Sequence, residues 1–79
     1  MTVTIRYFAV LRDRRGLSVE TVETQAATVG DLKRDLITRH RLGLAEALIR
    51  TAVAHAFVED DTALTDGMEV VLIPPVAGG

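Results

Sequence analysis

The sequence predicts an α+β domain: a mixed sheet of about four to five strands with one main helix packed on one face. Three observations lead there. Segments of period 2, rich in Val, Ile and Thr, stand near both ends of the chain, at Thr2 to Phe8 and Met68 to Ile73. One strongly signalled helix, opening at Thr28, lies between them. The length of 79 residues leaves room for a single small core, because a chain of this size buries only about 60% of the surface it exposes when unfolded.

Each element has its own justification. In Thr2 to Phe8, Val3, Ile5 and Tyr7 point to one side and Thr4, Arg6 and Phe8 to the other, so Phe8 falls on the polar face of a half-buried strand. Ala9 to Arg15 carries helix formers and stops at Gly16, which predicts a short helical turn. Leu17 to Thr24, rich in Val and Thr, predicts a second strand paired hairpin-fashion with the first. Thr28 is an N-cap with Asp31 following as a weak capping box, and Val29, Leu32, Leu36 and Ile37 follow at helical spacing. Arg39, His40 and Arg41 suit the negative end of the helix dipole, and Gly43 supplies the stop.

Leu44 to Arg50 is either a further turn of helix or an ordered loop. Thr51 to Val58 reads as one strand, with Ala52, Ala54, Ala56 and Val58 on one face and Val53, His55 and Phe57 on the other. The small Ala row fits under the helix and leaves His55 and Phe57 outside. Thr65-Asp66-Gly67 is a turn. In the last strand Met68, Val70 and Leu72 face one way and Glu69, Val71 and Ile73 the other. Pro74-Pro75 end it, since neither residue has an N–H for a sheet ladder. This order of elements is that of a β-grasp.

Composition narrows the function. The chain has no Cys, which excludes disulfides, thiolate metal sites and thiol nucleophiles. A net charge of −2 gives no bulk attraction to nucleic acid or to an anionic membrane. The N-terminus lacks a basic start followed by an apolar run, and no apolar stretch approaches the ~20 residues of a spanning helix, so a cytoplasmic protein is expected. A mean hydropathy of +0.24 is high for so small a chain and points to exposed apolar surface. Alternation places Phe8, Phe57 and Ile73 on the solvent face of one sheet, although it fixes the face and not the height of each.

The ending Pro74-Pro75-Val76-Ala77-Gly78-Gly79 divides the chain into a domain over 1–75 and a flexible tail over 76–79. Four extended steps beyond Pro75 reach roughly 13 Å. Without Cβ atoms, Gly78 and Gly79 can enter a channel too narrow for any other residue. Such a tail presents its α-carboxylate to another protein's active site. That carboxylate is ionised at neutral pH and a poor electrophile, and the chain has no phosphate-cradling loop to activate it. Activation must come from a partner.

Tyr7-Phe8-Ala9-Val10-Leu11-Arg12-Asp13, Thr28-Val29-Gly30-Asp31-Leu32, Leu64-Thr65-Asp66-Gly67-Met68-Glu69-Val70 and the Pro-Pro-Val-Ala-Gly-Gly ending together resemble the small-subunit family of molybdopterin synthase, within the ubiquitin-like β-grasp sulfur carriers. One departure is His55, shortly after Ala52-Val53, where such chains often carry Asn. The resemblance implies that Gly79 is adenylated by an ATP-dependent activating enzyme and converted to a thiocarboxylate. It implies that Val76, Ala77, Gly78 and Gly79 then enter a large catalytic subunit, where the sulfur passes to a cyclic pyranopterin monophosphate bound by that partner. It further implies docking through Phe8, Phe57 and Ile73, with Pro74 and Pro75 at the interface. On this reading the chain binds no cofactor or metal of its own and is not an enzyme alone.

His40 and His55 lack a carboxylate in metal-ligand register. Lys33 (the only lysine), Arg34, Arg39 and Arg41 have no interleaved aromatics for nucleic acid and read as a solvated helix face. Glu59, Asp60, Asp61, Asp66 and Glu69 lack the calcium-loop pattern and could instead help dock a basic surface. Two functional alternatives stay open: a sister sulfur carrier for thiamine, cysteine or tRNA thiolation, and a β-grasp protein modifier or interaction module.

Overall fold

A computed structural model describes residues 1–75; the tail residues Val76, Ala77, Gly78 and Gly79 lie outside the described residues. The elements run β1 (Thr2–Tyr7), α1 (Val10–Arg15), β2 (Val19–Glu23), α2 (Val29–His40), a 3-10 turn (Glu46–Leu48), β3 (Arg50–Val53), β4 (Ala56–Val58) and β5 (Glu69–Ile73). They form one five-stranded sheet in the order β2-β1-β5-β3-β4. The central pair, β1 and β5, is parallel, and the other pairs are antiparallel. Parallel neighbours cannot be joined by a tight turn, so the connection between them carries α2 across the sheet. This is the β-grasp arrangement.

The inner face follows from alternation. Val3, Ile5 and Tyr7 of β1 and Val70 and Leu72 of β5 are all buried. Ile5 lies beside Val70 and Tyr7 beside Leu72. Val29, Leu32 and Leu36 of α2 close over these rows, and Leu11, Leu42, Ile49 and Leu64 complete the cluster from the connections. At the helix start Thr28 is extended and its Oγ1 accepts the Asp31 N–H at 3.2 Å, as the sequence predicts.

The helix end differs from expectation. The left-handed residue that stops α2 is Arg41 (φ 52), and Gly43 (φ 75) lies beyond it in the following loop. Leu42 explains the early stop. Reversing at Arg41 lets the Leu42 N–H donate to the Ile37 carbonyl at 3.1 Å while its side chain drops into the core. The segment after it, for which the sequence allows either helix or loop, makes a 3-10 turn at Glu46–Leu48.

The single strand expected over 51–58 is two strands. Ala54 (φ 53) and His55 (φ 68) both adopt positive φ and form a two-residue hairpin turn of the I′ kind between β3 and β4. The hairpin pairs Ala52 with Phe57 and Val53 with Ala56. Across such a turn an even-numbered residue shares a face with an odd-numbered one, so the expected Ala row under the helix does not exist. Ala52 lies beside Val71 on the outer face, Ala54 is in the turn, and Val53 and Val58 pack against the core. Phe57 is outside, as expected, but by the opposite parity argument.

Candidate functional site: the outer face of the sheet

With α2 on one side only, the other face of the sheet is open. Strand register arranges it in rows: Val19, Arg6, Val71, Ala52 and Phe57 lie side by side across all five strands. In the next row toward the end of β5, Ile73 stands beside Arg50. Phe8 continues β1 there, its N–H donating to the Leu72 carbonyl at 3.3 Å. Phe8, Phe57, Val71 and Ile73 thereby line one hollow, with His55 on its wall. Phe8 is 49% exposed and Phe57 53%, which is unusual for aromatic rings in a domain with so few. The structure thus brings together the three residues that alternation could place only on a common face.

Two charged features frame the hollow. Arg6 and Glu69 pair across β1 and β5 at 3.1 Å. The Arg50 guanidinium carbon lies 3.6 Å from the centroid of the Phe57 ring.

Phe8 is held out by its neighbour. Ala9 takes φ 52 and ψ −127, a conformation that L residues rarely adopt, and the Leu11 N–H closes the turn on the Phe8 carbonyl at 3.0 Å. This sharp exit sends Leu11 into the core and leaves the Phe8 ring outside. A polar clamp steadies the same corner from behind. The Tyr7 hydroxyl donates to Glu20 at 2.6 Å, and Arg15 donates to both Glu20 oxygens at 2.9 and 2.8 Å. The Arg15 hydrogen bonds hold the Glu20 carboxyl below its usual range, and burial, reinforced by Glu20, pushes the Tyr7 hydroxyl up. The clamp fixes α1 against β1 and β2, and with it the Phe8–Ala9 corner.

The chain leaves this face between its two halves. β5 is the middle strand of the sheet, and Pro74, half-buried, and Pro75, exposed, follow Ile73 directly. Neither can extend the ladder. The expected carboxylate at Gly79 and the inserted residues Val76, Ala77 and Gly78 lie outside the described residues.

Three sequence expectations about charge are corrected or refined. Lys33 is not part of a solvated helix face: it is 3% exposed, and its Nζ donates to the Ile49 carbonyl at 3.0 Å and to Asp60 at 2.9 Å. Its position was readable, since Val29, Leu32, Lys33 and Leu36 stand at i, i+3, i+4 and i+7, the stripe that faces a core. Arg34 and Arg39 do lie on the solvated face, paired with Asp31 and Asp35. The acidic group offered for docking is largely committed internally: Asp60 to Lys33, Asp66 to the Thr2 N–H at 2.7 Å, and Glu69 to Arg6. His40 ends α2 and His55 is in the β3–β4 turn, so the two histidines stand on different elements, and among the described residues no group of three or more His, Asp or Glu could hold a metal ion. Among the described residues no helix is long and apolar enough to cross a membrane.

Known proteins share this arrangement. A molybdopterin synthase sulfur carrier subunit of Escherichia coli (strain K12) is 32% identical over 80 residues, covering 98% of this chain and 99% of that one. A structure described as the putative molybdopterin converting factor, subunit 1, from Pyrococcus furiosus superposes with a TM-score of 0.78 at 31% identity, covering 96% of this chain and 99% of the other. SAMP1 from Haloferax volcanii superposes over the whole of both chains with a TM-score of 0.81 at 26% identity. The fold is therefore the ubiquitin-like β-grasp of these carriers and modifiers. The ThiS family model matches residues 5–79. A match that runs from the first strand to the last residue, beside a full-length relative of that identity, places the chain in the ThiS family.

Proposed function

We propose that this protein is the sulfur carrier subunit of a molybdopterin synthase and that it works in the cytoplasm. The observation that carries the reading is the near-full-length identity with a subunit of that name, joined to an open apolar hollow at the foot of a Gly-Gly tail. The chemistry follows from the tail. The Gly79 carboxylate bonds to the α-phosphorus of ATP on an activating enzyme and pyrophosphate leaves. Sulfur at the sulfide level then attacks the acyl carbon, AMP leaves, and one carboxylate oxygen has been replaced by sulfur. In the large catalytic subunit the thiocarboxylate gives this sulfur to a cyclic pyranopterin monophosphate, and water restores the carboxylate.

The domain's part is to deliver the tail. Ordering a Gly-rich segment costs on the order of 1–2 kcal/mol per residue, and burial of Phe8, Phe57 and Ile73 against the large subunit offsets that cost. Pro74 and Pro75 at the rim set the direction of departure, and Val76, Ala77, Gly78 and Gly79 enter the partner. The chain itself needs no bound cofactor or metal and catalyses nothing alone; ATP and the pyranopterin are held by its partners.

Intact mass after incubation with an activating enzyme, ATP and a sulfur donor tests this. The expected product has one oxygen exchanged for sulfur at Gly79 and passes it to the pyranopterin when the large subunit is added. No exchange, with an activating enzyme that thiocarboxylates another carrier, would falsify the sulfur-carrier reading. The likeness to SAMP1, named as a small archaeal modifier protein in a second structure from the same organism, favours a modifier as the second reading. Isopeptide-linked adducts of Gly79 recovered from cells would identify it.

A further inference from the structure

Arg50 stands at the end of the sheet where β5 gives way to the tail, beside Ile73 in the register and stacked on Phe57. Stacking uses the face of a guanidinium and leaves its edge free, and the edge is where all five N–H donors lie. Among the described residues the Arg50 side chain makes no ion pair and no hydrogen bond, whereas Arg6 on the same face is matched by Glu69. The hollow is thus lined by apolar side chains, His55 and one closed ion pair, and the Phe57 ring that bounds it carries an open cation, Arg50, stacked on it.

Such a face sets a condition on whatever covers it. A purely apolar surface laid over Phe57 and Ile73 would strip water from the Arg50 donors and return nothing to them, and an unmatched buried cation is costly. A carboxylate accepts two parallel N–H bonds from the guanidinium edge without disturbing the stack on Phe57. We infer that the large subunit covering this face carries an acidic side chain that meets Arg50 edge-on beside the apolar wall that closes over Phe57. Arg50 is then a specificity-determining contact: it selects a partner with a carboxylate at that place and steers the encounter. The inference rests on the docking reading given above and names a feature of the partner that the reading lacks.

Binding of the full chain to the large subunit of molybdopterin synthase from the same genome tests it, by titration calorimetry at low and high salt. Arg50→Glu is expected to weaken binding roughly 10-fold or more at low salt, Arg50→Met somewhat less, and Arg50→Lys least. The salt dependence of binding flattens in Arg50→Met. Unchanged melting temperatures show that the variants are folded, since Arg50 is exposed. Ile73→Asp, measured alongside, separates the two claims. If Ile73→Asp abolishes binding while Arg50→Glu binds like the wild type, the acidic contact is overturned and the docking face stands. If Ile73→Asp binds normally, the docking face is overturned and the acidic contact with it.

Discussion

The ammonium of Lys33 lies 2.9 Å from the carboxylate of Asp60, and the two stand very differently toward water: Lys33 is 3% exposed and Asp60 51%. The pair fastens the middle of α2 to the loop after β4. The Gly30 N–H reinforces the fastening by donating to the Asp60 carbonyl at 2.8 Å. Because Lys33 is the only lysine, its burial also removes the single side-chain amine from the surface.

Chemical labelling reads this directly. At neutral pH an amine-reactive ester is expected to modify the N-terminal amine of the folded protein quickly and Lys33 far more slowly, by peptide mass mapping. Asp60→Ala should speed labelling of Lys33 and cost about 1–2 kcal/mol, a charged hydrogen bond discounted for the exposure of its acceptor. Fast labelling of Lys33 in the wild type would show that the pair is open in solution. A slow rate also makes this chain a poor acceptor for isopeptide linkage to a second copy.

Gly30 is required by close approach rather than by its backbone angles. A Cβ there would lie 2.8 Å from the Asp60 Cβ and 3.0 Å from its carbonyl oxygen. Alanine is the better helix former by about 1 kcal/mol, yet Gly30→Ala is expected to destabilise by roughly 1–3 kcal/mol because the loop must move away from the helix. Urea unfolding decides the sign.

Backbone strain beside the hollow gives predictions of the opposite sign. Ala9 holds φ 52 and ψ −127, and Ala54 and His55 both hold positive φ. Ala9→Gly should stabilise by about 1 kcal/mol, relief of strain exceeding the extra entropy of glycine in the unfolded chain. Replacing Ala54-His55 by Asn-Gly, the preferred pair for this turn, should stabilise by a similar ~1 kcal/mol. A lower melting temperature in either variant would contradict the backbone geometry at that site.

The Tyr7–Glu20–Arg15 clamp makes stability depend on pH at both extremes. Glu20 is held below its ordinary value, so its contribution is complete above the unfolded carboxylate range, about pH 4.3, and is lost as pH falls through the depressed folded value. Tyr7 is raised, so its contribution is complete below its unfolded value of about 10 and declines as pH rises beyond it. Glu20→Gln should flatten the acid limb of a denaturation-midpoint profile. Tyr7→Phe should flatten the alkaline limb.

Phe8 separates binding from folding. Half-exposed and outside the core, it should tolerate Phe8→Asp with a stability change of about 0.5 kcal/mol or less, while affinity for the large subunit falls about 100-fold or more. A matched loss of both would make Phe8 a structural residue.

Alternation and capping, which act between near neighbours, are written in the chain itself. They placed β1, β2, α2 and β5, sent Val3, Ile5, Tyr7, Val70 and Leu72 inward, and put Phe8 and Ile73 outside. The motif blocks pointed to the sulfur-carrier family that the match over residues 5–79 and the near-full-length relative show. What local pattern could not supply was anything that depends on which strands become neighbours. Ala54-His55 lacks the usual turn residues, so the hairpin, and with it the parity of Ala52 and Phe57, follows from pairing of β3 with β4 and β5. The meeting of Phe8, Phe57 and Ile73 in one hollow and the burial of Lys33 against Asp60 join residues far apart in the chain, and the stack of Arg50 on Phe57 depends on the β3–β4 hairpin. Side-chain period tells a residue which way to face. Its partner and its height are set only when the β1–β5 crossover closes the sheet.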